Sequence, residues 1–147
     1  MHRRLAALIA GLAAVTSCQL DQRGRAAVLP VAPTSGTPGT ITDLAASAVT
    51  PGAVKLSFTE VDDGTGLPAQ YDFRYAVAPL SWGSALSVSQ GSCATPVSGT
   101  TIGAHQTCTI FGLTSGTRYQ FQVVAFRGTL NQAAVFGDLS NVVEGQP

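Results

Sequence analysis

Gly112-Leu113-Thr114-Ser115-Gly116-Thr117-Arg118-Tyr119-Gln120-Phe121 is the stretch that decides the fold of this chain. An isolated apolar residue, Leu113, is followed by turn formers and then by a segment in which Tyr119, Phe121, Val123 and Ala125 recur every second position. Successive strand side chains point to opposite faces, so these four share one face, for a core. Arg118, Gln120, Gln122 and Val124 take the other, mostly for water.

The same period runs outward from there. Val54, Leu56 and Phe58 alternate with Lys55, Ser57 and Thr59, and Tyr71, Phe73 and Tyr75 alternate with Asp72, Arg74 and Ala76. Turn formers separate the runs at Thr50-Pro51-Gly52, Asp62-Asp63-Gly64-Thr65-Gly66, Ser115-Gly116 and Phe136-Gly137-Asp138. Short strands at this spacing, with no amphipathic helical stretch beyond the N-terminal region, predict an all-β antiparallel sandwich of about seven strands and about 100 residues.

From about Thr40 to Gly145 the chain resembles a fibronectin type III domain, an immunoglobulin-like β-sandwich. Gly112–Phe121 is similar to that family's Gly-Leu-x-Pro-x-Thr-x-Tyr-x-Phe segment leading into strand F. The resemblance implies that Leu113 plugs the core and that Tyr119 forms a tyrosine corner, its hydroxyl bonded to backbone a few residues upstream. Val54–Phe58 resembles strand B, Tyr71–Tyr75 strand C and Leu139–Val143 strand G. Phe58 stands where the family often has a core tryptophan, and Ser115 where it often has proline. Trp82, the single tryptophan, follows strand C as in many bacterial members and is expected to cover the sheet; a ligand platform is the alternative.

The N-terminal region reads differently. His2, Arg3 and Arg4 precede an apolar run, Leu5–Val15, which ends in Val15-Thr16-Ser17-Cys18. Eleven apolar residues fall well short of the roughly 20 that a spanning helix needs. This layout resembles a bacterial lipoprotein signal peptide over residues 1–17, which implies lipidation of Cys18 and export. Ordinary secretion is the alternative, because Val15 and Ser17 also suit a soluble export signal. Residues 18–39 turn rich in Pro, Gly, Ser and Thr and read as a flexible tether, leaving 40–147 for the domain. Gln19, rather than aspartate, follows Cys18. For a Gram-negative source, the resemblance to that sorting pattern favours the outer membrane.

Cysteine arithmetic supports the same assignment. With Cys18 acylated, Cys93 and Cys108 are left to form one disulfide in an oxidising compartment. A structural staple is the expected role, since the C-x-x-C spacing of a redox pair is absent.

Composition narrows function. The precursor carries eight Lys+Arg and eight Asp+Glu, and removing residues 1–17 takes away two arginines and no acid. A mildly acidic domain with scattered cations has no basic face for nucleic acid. The two histidines are His2, in the signal, and His105, in a Gly/Thr-rich stretch that reads as an exposed loop. Neither a metal cluster, a cofactor nor a hydroxyl–histidine catalytic pair is expected. Glu60, Asp62 and Asp63 crowd one turn, whereas acid–base work on a glycan needs carboxylates across a cleft.

What remains is a membrane-anchored binding or adhesion module meeting a protein or glycan, or a structural spacer or accessory subunit of an envelope assembly. Loops at the ends of such sandwiches carry recognition. The candidates are the B–C loop, with Glu60, Asp62, Asp63 and Gly64, and the F–G loop, with Arg127, Thr129, Leu130 and Asn131.

Overall fold

A computed structural model describes residues 36–147. Residues 1–35, which hold the expected signal, Cys18 and most of the expected tether, lie outside the described residues. The strands are β1 (Ala45–Thr50), β2 (Ala53–Thr59), β3 (Gln70–Val77), β4 (Leu86–Ser87), β5 (Val97–Ser98), β6 (His105–Ile110), β7 (Tyr119–Arg127), β8 (Val135–Leu139) and β9 (Val143–Gly145). One sheet has the order β1-β2-β6. The other has the order β4-β3-β7-β8, with β5 also on β3 and β9 also on β7.

All pairings are antiparallel. Because β4 with β5, and β8 with β9, are interrupted halves of the two edges, nine segments occupy the seven expected positions. The second interruption has a visible cause. Ser140 is buried, its N–H donates to the Val123 carbonyl at 2.9 Å, and its Oγ accepts the Val123 N–H at 3.0 Å, so a side chain stands in for one rung of the ladder. The next side chain, Asn141, accepts the Leu44 N–H at 3.0 Å and donates to the Leu44 carbonyl at 2.8 Å, tying the approach to β1 across to the other sheet.

The period of two places Val54, Leu56, Phe58, Tyr71, Phe73, Phe121, Val123 and Ala125 in one buried cluster, joined by Ile41 and Leu44 ahead of β1. Phe58 fills the centre, its ring edge-on to Tyr71 at 4.8 Å and to Phe73 at 5.4 Å. Aromatic pairs prefer such offset geometry.

The outer face of β7 departs from the sequence expectation. Val124 and Phe126 lie on the face read as mostly for water, yet they are 2% and 0% exposed. Phe136 on β8 packs on Phe126 with ring centroids 5.8 Å apart, so a small second apolar layer forms outside the sheet. Asp72 and Gln122 are buried on this face as well. Alternation alone cannot show this, because what covers a sheet's outer face comes from other elements.

Candidate binding site

The corner is built as its residues imply. The Tyr119 hydroxyl accepts the Thr114 N–H at 3.2 Å, and Leu113 is buried beside it, its own N–H bonded to the Gly52 carbonyl at 3.1 Å. Hydrogen bonding from Thr114 holds the Tyr119 phenol below its ordinary pKa. Cys93 and Cys108 form a disulfide with Cα atoms 5.0 Å apart. It joins the excursion between β4 and β5 to β6, and so pins one sheet to the other.

The loop between β2 and β3 is more engaged than its charge suggests. Glu60 is only 2% exposed. Its carboxylate accepts the backbone N–H of Thr100 and of Thr101, the latter at 2.8 Å, and the Thr100 hydroxyl at 3.0 Å. It therefore organises the loop between β5 and β6, and it is not offered to a ligand. Asp63 is buried too, and its Oδ1 accepts from the Thr65 N–H and hydroxyl and from the Leu67 N–H at 2.8, 2.6 and 3.4 Å. The Thr65 hydrogen bonds hold its carboxyl below the usual range. Asp62 accepts the Gly64 N–H. These acids fold a turn, and no group of three His, Cys, Asp or Glu among the described residues is arranged to hold a metal.

Arg127 is likewise committed. Its Nη1 donates to the Asp63 carbonyl at 2.8 Å and to the Gly36 carbonyl. Gly36 in turn donates to the Gly64 carbonyl and Gly39 to the Asp62 carbonyl, each at 2.8 Å. Gly36–Gly39, read from sequence as the end of the tether, is thus stitched to the domain. Gly64 permits the approach: its φ is 86°, and a Cβ there would meet the Gly36 carbonyl and Arg127.

Thr129 and Asn131 occupy the loop between β7 and β8, where the N–H groups of Gln132 and Ala133 both reach the Thr129 carbonyl at 3.2 Å. Asn131 has φ 62°, a left-handed conformation that asparagine tolerates better than most residues. Its place in the turn is a backbone matter. Thr129 is exposed and, with Gln70, Pro96, Phe126, Gly128 and Leu130, lines an open recess of about 380 Å³ on the outer face of the larger sheet. Gln70 Nε2 donates to the Gly128 carbonyl at 3.2 Å, fixing one wall. The lining is uncharged and mixes apolar side chains with an amide and a hydroxyl. Of the residues singled out in the sequence, the fold brings Thr129 and Leu130 to this recess. Asp62, Asp63 and Arg127 instead hold the β2–β3 turn and the Gly36 segment.

Comparison with protein families matches residues 38–136 to the Fibronectin type III domain. The chain belongs to the fibronectin type III family. No curated protein matches it significantly. This is a family of non-enzymatic binding and structural domains.

In this fibronectin type III domain Trp82 is half-buried, in the connection that leaves β3 at the end away from the recess. The Arg74 guanidinium sits 4.5 Å from the Trp82 ring centroid, donates to the Trp82 carbonyl at 3.1 Å, and pairs with Asp72 at 3.0 Å. One face of the tryptophan is therefore covered by a cation. His105 opens β6, where it is exposed and paired with Thr59, rather than lying in a loop. Phe126, Gln70 and Pro96 were not singled out in the sequence. The signal for Phe126 was the pair of apolar residues, Val124 and Phe126, in the water-facing phase of strand β7.

Proposed function

We propose that this chain is an exported cell-envelope lipoprotein, anchored through Cys18, whose fibronectin type III domain binds a protein partner at the recess beside the β7–β8 loop. The anchoring rests on the sequence: a basic start, a short apolar run and a cysteine at the lipobox position. For a Gram-negative source the outer membrane is the expected site. The recess carries the binding part, being concave, uncharged and presenting Pro96 and Leu130 with Gln70 and Thr129 above the fully covered Phe126. Such a surface takes an apolar side chain of a protein, with polar groups to orient it. A glycan is less well served, because one face of Trp82 is occupied by Arg74.

Capture from crosslinked, intact envelopes tests this reading, with wild type compared against Thr129→Arg. Thr129 is exposed, so the substitution leaves the fold intact while filling the recess with a long cation. A partner recovered by wild type and lost with Thr129→Arg supports the proposal. Recovery unaffected by Thr129→Arg places the contact elsewhere, and no partner at all leaves the spacer reading as the better account. Mass spectrometry of the mature protein tests the anchor separately: an unacylated soluble species, or unchanged membrane partitioning of Cys18→Ser, overturns it.

A further inference from the structure

The chain enters the domain at one end of the sandwich. Gly36, the first described residue, is bonded to Gly64 in the β2–β3 loop and to Arg127 at the root of the β7–β8 loop. The β5–β6 loop lies at the same end, held by the Glu60 carboxylate. An anchor at Cys18 therefore pulls on the end that carries these three loops, and the intervening stretch reaches at most about 60 Å even when fully extended.

The three loops at that end expose uncharged residues. These are Thr65, Gly66 and Leu67; Thr100, Thr101, Ile102 and Gly103; and Gly128, Thr129, Asn131, Gln132 and Ala133. None is charged. Of the ionisable side chains at that end, Glu60 and Asp63 are buried in the loop framework, Asp62 and Arg127 are half-buried and bonded to it, and the exposed Asp43 and His105 lie by Thr59 at the foot of the loops. Two large aliphatic side chains project instead: Leu67 is 63% exposed and Ile102 is 44% exposed. The opposite end carries Arg118 and Glu144 as an exposed ion pair, beside the exposed Val49, Val77 and Phe111, so what distinguishes the loop end is that the chain enters there.

We infer that Leu67 and Ile102 are membrane-contacting tips, which seat the anchored domain loop-end down on a phospholipid surface. The inference rests on the proposed lipidation of Cys18. Charged side chains are costly to bring into the lipid interface, whereas Leu and Ile gain from burial there, so two aliphatic tips among uncharged exposed loop residues suit the surface toward which the anchor draws that end. A domain seated this way holds its partner recess close to the bilayer.

The single native tryptophan makes the orientation measurable. Trp82 lies away from the loop end: its connection starts at Ala78, which donates to the Arg118 carbonyl, and its ring covers Arg74 in the middle of β3. Full-length acylated protein is reconstituted in vesicles of phosphatidylethanolamine and phosphatidylglycerol with brominated acyl chains, as wild type, Leu67→Trp and Ile102→Trp. Trp82 emission in wild type should be unquenched, and each variant should add a blue-shifted component lost to bromine quenching. Acylated protein whose tip tryptophans emit as in solvent, or whose Trp82 is the quenched residue, overturns the inference while leaving the anchor intact. Protein found unacylated by mass spectrometry overturns both.

Discussion

Arg127 Nη1 donates to the backbone carbonyl of Asp63 at 2.8 Å, across 64 positions of sequence. One cation thereby holds the β2–β3 turn, the root of the β7–β8 loop and, through Gly36, the beginning of the domain. An arginine that sequence places in a recognition loop is spent on the frame beneath it.

Arg127→Ala should accordingly cost about 1–3 kcal/mol, because hydrogen bonds to a charged donor are among the stronger ones and two carbonyls lose theirs. Chemical denaturation measures this directly. A cost within about 0.5 kcal/mol, as for an ordinary surface position, would refute the clamp.

At Asn131 the sign depends on the replacement. With φ at 62°, Asn131→Ala should destabilise by about 1 kcal/mol and Asn131→Gly should be neutral or slightly stabilising. Equal effects of the two changes would show that the left-handed conformation is not what selects the residue.

Tyr119→Phe removes only the oxygen that accepts the Thr114 N–H. The expected loss is about 1–3 kcal/mol, with the strand pairing of β7 unchanged by hydrogen exchange.

The Tyr71 hydroxyl, which accepts the Val61 N–H at 2.9 Å, is buried, and desolvation pushes its pKa up to about 12. A pKa raised on folding means that the stabilisation is complete below the unfolded value near pH 10 and is lost as pH rises toward 12. The stability difference between wild type and Tyr71→Phe should be flat from pH 7 to 9. It should then shift by about 2–3 kcal/mol against wild type between pH 10 and 12. A difference constant through that window would refute the assignment.

Reduction of Cys93–Cys108 should lower stability by about 3 kcal/mol without unfolding the two-sheet core, following the entropy of closing a loop of about 15 residues. Thermal melts with and without reductant, together with thiol alkylation under native conditions, measure both parts. Alkylation of both cysteines without reductant would contradict the staple.

The sequence by itself determined the sandwich, because a period of two is a local property of the chain and a buried face needs only apolar residues in that phase. It placed Val54, Leu56, Phe58, Tyr71, Phe73 and Phe121 inside, and marked Leu113 and Tyr119 as the corner. It also carries the entire case for the proposed anchor at Cys18, since an export signal is recognised as a sequence. Tertiary structure alone decided what the polar residues do. Whether Glu60, Asp63 and Arg127 face a ligand or a backbone depends on which distant carbonyls and amides the fold brings within 3 Å, and those partners lie up to 91 positions away. The recess of Gln70, Pro96, Phe126 and Leu130 has the same origin: it exists only where three separate segments converge on the outer face of one sheet.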